Sequence, residues 1–145
     1  MAHMSPQEIY DFLSHGTRTA HVATTRADGR AHVKPMWFVV DGTPESFTLL
    51  LNTGASTVKG KTLARDGRVS VSVDDPHPPF SFVIVEGTAE LVTDLDQVRS
   101  SAAGIGGRYM GADRAQEYGE RNGVPGELLV RITPTKVIAE ANLAD

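Results

Sequence analysis

The stretch from residue 19 to residue 52 is rich in strand-favouring residues and contains no segment with helical periodicity. Residues 19–25 and 31–40 are separated by a short polar segment whose Asp28-Gly29 pair favours a tight hairpin turn. A second turn at residues 41–44 leads into another apolar run at residues 46–52. Strands joined so closely pair antiparallel, because a parallel crossover needs a dozen or more residues. The stretch therefore disfavours a doubly wound parallel sheet.

Short helices and further strands are predicted in the rest of the chain. Ser5, Pro6 and Glu8 form a capping-box pattern for a helix that ends near residue 14, before Gly16. Further strands are predicted at residues 68–73, 80–92, 128–133 and 136–141, and further helices within 54–67 and at 93–103 and 113–121, with caps at Thr93 and Asp113 and a flexible glycine joint at 104–107.

These elements predict a mainly β (α+β) fold, an antiparallel barrel of about six strands with short helices around it. Hairpin strands must hide their edges by closing into a barrel or by pairing with a second subunit. A chain of 145 residues is the size of one domain, so we expect a single domain over residues 1–145. We expect residues 1–4 to be vector-derived or disordered.

Composition excludes several classes of function. A formal net charge of -4 and a sequence pI near 5.7 disfavour a nucleic-acid surface. Without a membrane-spanning apolar run or a leader pattern, we expect a cytoplasmic protein that does not bind membranes. The absence of cysteine excludes disulfides, thiolate metal ligands and thiol nucleophiles.

The histidines show no spacing typical of a metal site, and we expect no metal. His21 and His32 fall on the two strands of the first hairpin. They are expected to face each other across it, and such cross-strand polar pairs are common without any function.

Residues 52–68 place hydroxyl groups and lysines at the start of a helix that directly follows a strand. Ser56 and Thr57 can cap this helix, and Lys59 and Lys61 lie in or near its first turns. An anion is stabilised at such a position by free N–H groups, the helix dipole and lysine charge together. An ordinary capped helix with a solvated basic face also explains the segment, and the segment alone favours that interpretation over an anion site.

Pro35 interrupts an otherwise convincing strand, in the segment Lys34-Pro35-Met36-Trp37-Phe38. A proline removes one ladder donor and marks an edge strand or a bulge, where backbone groups are free to meet a ligand. A flat apolar ring is expected to fit along either face of this strand. Alternatively, Trp37 and Phe38 only fill a core.

Together these segments resemble the pyridoxamine 5'-phosphate oxidase-like superfamily, and within it the actinobacterial branch of enzymes that depend on coenzyme F420. The resemblance covers residues 19–139. It is carried by Ala23-Thr24-Thr25-x-x-Asp28-Gly29-Arg30, Val33-x-Pro35-x-Trp37-Phe38-x-x-Asp41-Gly42, Lys59-x-Lys61-Thr62-Leu63-x-Arg65-Asp66-x-Arg68-Val69, Phe80-Ser81-Phe82-Val83-x-Val85-x-Gly87-x-Ala89-Glu90-Leu91, Arg108-Tyr109-x-Gly111 and Val130-x-Ile132-x-Pro134. The order and spacing of these fragments favour the anion site over the ordinary capped helix.

The resemblance implies a six-stranded split β-barrel that forms a homodimer, with two equivalent sites between the subunits. It implies that Lys59 and the hydroxyls of Ser56 and Thr57 hold the cofactor phosphate, with Lys61 and Thr62 close behind. It further implies a cofactor ring that contacts residues of the barrel strands and of the partner chain: Pro35, Met36, Trp37, Asn52, Thr53 and, from the partner, Phe80. Two positions depart from the branch pattern, since Thr57 stands where a basic residue is frequent and Thr62 where asparagine is frequent.

The activity implied by the resemblance is hydride transfer between reduced F420 and a small unsaturated substrate. The scheme requires no side-chain acid, and the catalytic residues stay unassigned, although Tyr109 is a candidate proton donor. Two alternatives stay open: an FMN-binding oxidase or reductase of the same fold, and a non-catalytic protein that carries a cofactor or a tetrapyrrole.

Overall fold

The expected hairpins and short helices form in the computed structural model, which describes residues 2–145. In chain order the elements are β1 (Ala2–His3), α1 (Pro6–Ser14), β2 (Ala20–Thr25), β3 (Ala31–Met36), β4 (Val39–Thr43), β5 (Ser46–Gly54), α2 (Val58–Arg65), β6 (Arg68–Asp75), β7 (Ser81–Val92), α3 (Leu95–Met110), a 3-10 turn (Ala112–Arg114), α4 (Ala115–Asn122) and β8 (Glu127–Ala141). The Ser5 capping box on α1 is confirmed, since the Ser5 hydroxyl accepts from the Glu8 backbone and the Glu8 side chain accepts from the Ser5 backbone.

The strands form one antiparallel sheet in the order β3-β2-β6-β7-β8-β5-β4, with β1 paired to β8. The fold is the expected mainly β split-barrel type with short helices. The expected count of six strands is wrong, because the described residues form eight. The sheet is not closed, and β3 and β4 are its edges.

Three differences from the expected elements explain the strand count. Residues 31–40 form two strands, because the ladder breaks at Trp37 and Phe38. Residues 2 and 3 pair with β8 and form a short strand that the sequence did not predict; Met1 lies outside the described residues. Residues 128–141 form one strand, since Pro134 is accommodated at a bulge where the register with β7 shifts between Glu86 and Gly87.

The core lies against the inner face of the sheet. Its fully buried side chains alternate along the strands, as period-two patterning requires. They include Val22 of β2, Leu49 and Leu51 of β5, Val71 and Val73 of β6, Val83 and Val85 of β7, and Val130 and Ile132 of β8, and Leu13 and Phe38 complete the cluster.

Helix α3 runs without interruption through residues 104–107, so the expected flexible joint is wrong. The glycines serve packing instead, because a Cβ added at Gly106 would lie 2.2 Å from Cβ of Tyr118 on α4. The expected caps are also wrong: Asp94 caps α3 through the Gln97 backbone, and α4 follows a 3-10 turn with no side-chain cap.

Two neighbouring glycine substitutions test this helix packing. Gly106→Ala should destabilise the protein by about 1 to 3 kcal/mol, because Tyr118 must move to admit the methyl group. Gly104→Ala is the matched control in the same helix, since nothing lies within 4 Å of a Cβ there. It should stabilise by about 0.5 to 1 kcal/mol through helix propensity alone. Urea unfolding of both variants measures these changes, and a Gly106→Ala variant as stable as Gly104→Ala would contradict the packing.

Candidate functional site

A groove of about 450 Å³ lies beside the end of β3. Four of the predicted cofactor residues line it: Pro35, Met36, Trp37 and Asn52. Four further residues, which the sequence did not point to as site residues, complete its walls: Thr19, Lys34, Ile105 and Asn122. Half of the lining residues are apolar and half are polar, so the groove offers both an apolar surface for a small molecule and polar groups to orient it.

The break between β3 and β4 is held open by side chains from α3. Arg108 donates to the Phe38 carbonyl at 2.8 Å and also to the Leu13 carbonyl at 2.7 Å. Phe38 is fully buried, and its backbone N–H donates to the Tyr109 hydroxyl at 3.2 Å. These bonds give partners to the backbone N–H and carbonyl groups of Phe38, which make no ladder hydrogen bonds. The chain can therefore leave the sheet here, and Trp37 lies at the groove.

The Trp37 indole lies parallel to the Tyr109 ring, with 4.9 Å between centroids and 2° between planes. The indole is still 43% exposed, so Tyr109 leaves much of it open. The Tyr109 hydroxyl donates to the Arg18 carbonyl at 2.6 Å, and burial raises the pKa of this phenol. Because its hydrogen is directed to that carbonyl, Tyr109 supports the wall of the groove, and the geometry does not support its suggested role as a proton donor.

Helix α2 is capped by its own side chains. The Thr57 hydroxyl accepts from the Gly60 N–H at 3.0 Å and donates to the Gly54 carbonyl at 2.7 Å. Thr53 lies 3.1 Å away, oxygen to oxygen. The Thr57 hydroxyl is therefore committed to the cap and to the end of β5. The ordinary capping role holds for this residue, and the helix start as such offers little to a ligand.

Lys59 points away from the helix start and beneath β2. Its side chain is only 2% exposed, and its Nζ donates to the Val22 carbonyl at a long 3.4 Å. Gly60 allows α2 to lie close enough to β5 for Lys59 to be buried. A Cβ at residue 60 would lie 2.2 Å from the Gly54 carbonyl oxygen and would push the helix away from β5. Burial, with a smaller contribution from the charge of Lys34, lowers the pKa of Lys59 to about 8.

The inner face of the first hairpin continues from the groove toward Lys59. Met36 pairs with Ala20, Lys34 with Val22 and His32 with Thr24, so these side chains share one face. Two atoms in this row, Thr24 Oγ1 and His32 Nδ1, are buried without a hydrogen-bond partner among the described residues. The predicted His21–His32 pair is wrong, since His21 pairs with Pro35 and lies on the other face.

The remaining predicted residues occupy varied positions. Thr53 and Thr62 are buried. Ser56 is exposed just before α2, and Lys61 is exposed on that helix. Asn52 donates to the Ser101 hydroxyl at 2.9 Å. Phe80 lies apart from the groove, on the connection between β6 and β7, with a positive φ of 65° and an exposed ring.

A second cavity of about 730 Å³ shares Thr19 and Pro35 with the groove. His77 Nδ1 lies 2.8 Å from Asp75 Oδ1 at its rim, and Arg18 Nη2 lies 3.3 Å from Asp75 Oδ2. The hydrogen bonds from His77, helped by Arg18, lower the pKa of Asp75. The sequence gave no indication that Arg18 joins Asp75 and His77, because Arg18 lies in the distant connection between α1 and β2.

The fold is that of a split-barrel protein, with an open groove beside the end of β3. The sequence matches the family described as pyridoxamine 5'-phosphate oxidase over residues 5–140, and the chain belongs to that family. Oxidoreductases that use flavin-type cofactors are found in it. Within residues 2–145, no helix has both the length and the apolar character needed to cross a membrane.

Three solved structures show the same fold. The conserved hypothetical protein Rv2991 from Mycobacterium tuberculosis is 27% identical, with a TM-score of 0.80 over 94% of this chain and 84% of that one. An F420 reductase is 26% identical, with a TM-score of 0.67 over 88% of this chain and 94% of its own. An FAD-binding protein from Mesorhizobium loti is 18% identical, with a TM-score of 0.68 over 95% of each chain, and shows the fold alone. Comparison with curated proteins gives no match.

Replacing Lys59 by methionine should stabilise the protein without ligand. A folded-state pKa of about 8 against the ordinary 10.5 means that protonated Lys59 disfavours the folded state. Lys59→Met should therefore raise the free energy of unfolding near pH 7 by about 1 to 3 kcal/mol.

The advantage of the variant should shrink as the pH rises. Above the folded-state pKa of about 8 the unfolded chain binds more protons than the folded one, so wild-type stability gains relative to the variant. Urea unfolding in phosphate-free buffer near pH 7 and near pH 9.5 measures both effects. Equal or lower stability of the variant at both values would contradict the buried charge.

Proposed function

We propose that this protein is an oxidoreductase that uses coenzyme F420 to transfer hydride to or from a small unsaturated substrate. One observation carries the proposal: the inner face of β3 leads from the Trp37 groove, past Lys34, to the buried Lys59. This row offers an apolar wall for a planar ring at one end and cations for a negatively charged tail at the other.

The residues present fit such a cofactor. Lys59 makes one long hydrogen bond and forms no ion pair among the described residues, so its ammonium has donors to spare. Trp37 is partly exposed and lines the groove beside Pro35 and Met36. When bound, the reduced cofactor would supply a hydride, and the protein's part is to hold the ring, bind the phosphate and exclude water.

The position of the second cavity supports it as the place for the substrate. The cavity meets the groove at Thr19 and Pro35, where a substrate would lie next to a ring held against Trp37. Arg18 and the Asp75–His77 pair supply polar groups at its wall. The donors among these groups, Arg18 and His77, suit a small substrate with an oxygen-bearing group that activates its double bond.

A homodimer is part of this proposal. The edge strand β3 carries Val33, which is 58% exposed, and Trp37 and Phe80 are also exposed. Apolar side chains on an unpaired edge are typical of a surface that a second subunit covers. In such a dimer Phe80 would reach the groove of the partner. A cytoplasmic location likewise remains a prediction from the sequence.

FMN is the alternative cofactor, because it also joins a tricyclic ring to a phosphate that Lys59 can bind. A haem carrier is less well supported, since no histidine among the described residues lines the groove.

Fluorescence titration of the purified protein with F420 and with FMN tests the proposal. F420 should bind, and Lys59→Met should weaken binding by about 1.5 to 3 kcal/mol through loss of a charge-assisted contact. Lys136→Met is the matched control, because Lys136 is exposed on β8. Binding of FMN without F420 would favour the alternative. Binding of neither cofactor, or equal affinity in both variants and the wild type, would contradict the proposed site.

Sedimentation velocity tests the dimer. The wild type should sediment as a dimer, and Val33→Asp should shift it toward monomer, because a charge on each copy would be buried without a partner. A wild-type monomer, at concentrations where it binds cofactor, would contradict the proposed intersubunit site.

A further inference from the structure

Two buried polar atoms between β2 and β3 lack partners within residues 2–145. They are Oγ1 of Thr24, whose residue is only 2% exposed, and Nδ1 of His32. Roughly 90% or more of buried polar groups in proteins are hydrogen-bonded, so an unpartnered pair calls for an explanation. Core packing alone does not explain why polar residues stand at these positions. An apolar residue of similar shape would fill the same space without losing hydrogen bonds to water on folding.

The two atoms belong to one patch that includes Lys59. Thr24 and His32 are direct partners in the ladder, which places both side chains on the same face. Two residues along β2, the Val22 carbonyl accepts the single hydrogen bond of Lys59. A hydroxyl, an imidazole and an ammonium group therefore lie on the side of the hairpin where Lys59 of α2 reaches β2, and all three can donate.

The charged groups that face His32 all have the same sign. They are Lys59 from α2, Lys34 from its own strand and Arg26 from the turn between β2 and β3. None of these three cations forms an ion pair among the described residues. Burial, and then these charges, lower the pKa of His32 in the free protein. The charge of the patch is thus complementary to an anion.

We propose that Thr24 and His32 join Lys59 as ligands of the cofactor phosphate, and that His32 makes cofactor affinity increase as the pH falls. This inference rests on the proposed function, because it concerns the phosphate end of the same site. It also moves the phosphate from the Thr57 cap to the inner face of the hairpin, where the unpartnered atoms lie.

The direction of the pH effect follows from linkage. A bound phosphate raises the pKa of His32, since it pairs with the imidazolium and offsets the three cations. Protonation of His32 must then increase phosphate affinity by the same factor. Affinity should increase as the pH falls from the pKa of His32 in the complex to its lower pKa in the free protein. A separate loss of affinity follows at higher pH, as Lys59 deprotonates near its pKa of about 8.

Cofactor titrations of side-chain variants at several pH values test the inference. Wild-type affinity for F420 should increase about tenfold from about pH 7.5 to about pH 5.5, which corresponds to a one-unit change in the pKa of His32. His32→Gln should still bind F420, since the amide can donate, but should lose this increase. His3→Gln, on the exposed strand β1, should keep the wild-type profile. The phosphate of FMN itself changes its ionisation over this pH range. That change affects the wild type and His32→Gln equally, so the difference between their pH profiles reports on His32.

Thr24→Val tests the hydroxyl by an isosteric change. It should weaken F420 binding about fivefold to tenfold at every pH, because one neutral hydrogen bond is lost. Thr25→Val is the matched control, since Thr25 is the next residue on β2 and faces the other side of the strand.

NMR titration of the His32 ring gives a readout independent of turnover. Saturating inorganic phosphate should raise the pKa of His32, and the F420-bound protein should show the same shift. An unchanged pKa of His32 in both the phosphate-bound and the F420-bound protein, or a wild-type pH profile in His32→Gln, would overturn this inference. The proposed function would still hold in that case, provided that cofactor binding depends on Lys59. Failure of both cofactors to bind the wild type would overturn the proposed function itself.

Discussion

The buried ammonium of Lys59 is the interaction on which the site depends. Its burial beneath β2 requires α2 to lie close to both β5 and β2. Gly60 permits the approach to β5, and Arg65 holds the other end of the helix by donating to the Thr25 carbonyl. A cation held in this way without an ion-pair partner is unfavourable in the free protein, and a bound anion would reverse that. Lys59 therefore lowers the stability of the free protein and at the same time contributes to its affinity for a negatively charged ligand.

The opposite end of the site depends on a controlled break in the sheet. Leaving a ladder exposes backbone groups that need partners, and Arg108 and Tyr109 provide them for Phe38. Helix α3 can supply both residues because it continues through its glycines and packs on α4. The aromatic wall at Trp37 and the cations near Lys59 are then joined by the rigid inner face of β3.

Local rules predicted much of the fold and part of the site. The capping box at Ser5, the Asp-Gly hairpin and the short helix after β5 depend on neighbouring residues and were confirmed. The continuity of β8 through Pro134 and of α3 through its glycines depends on distant partners, β7 and Tyr118, which a single sequence does not reveal. The sequence predicted Pro35, Met36, Trp37 and Asn52 as site residues, and the structure brings these four together in the groove. It left open whether Thr57 caps α2 or binds an anion, and it did not predict the Thr24–His32 pair, because these depend on side-chain direction and on ladder register.

NMR of the Lys59 Cε and Nζ nuclei measures the pKa on which the proposed site depends. In the free protein we expect a value of about 8, because the ammonium is buried and none of the described residues supplies a counter-charge. Saturation with the phosphate-bearing cofactor that binds should move it back toward the ordinary value, as the anion stabilises the charge. An ordinary pKa in the free protein that the cofactor leaves unchanged would contradict the account.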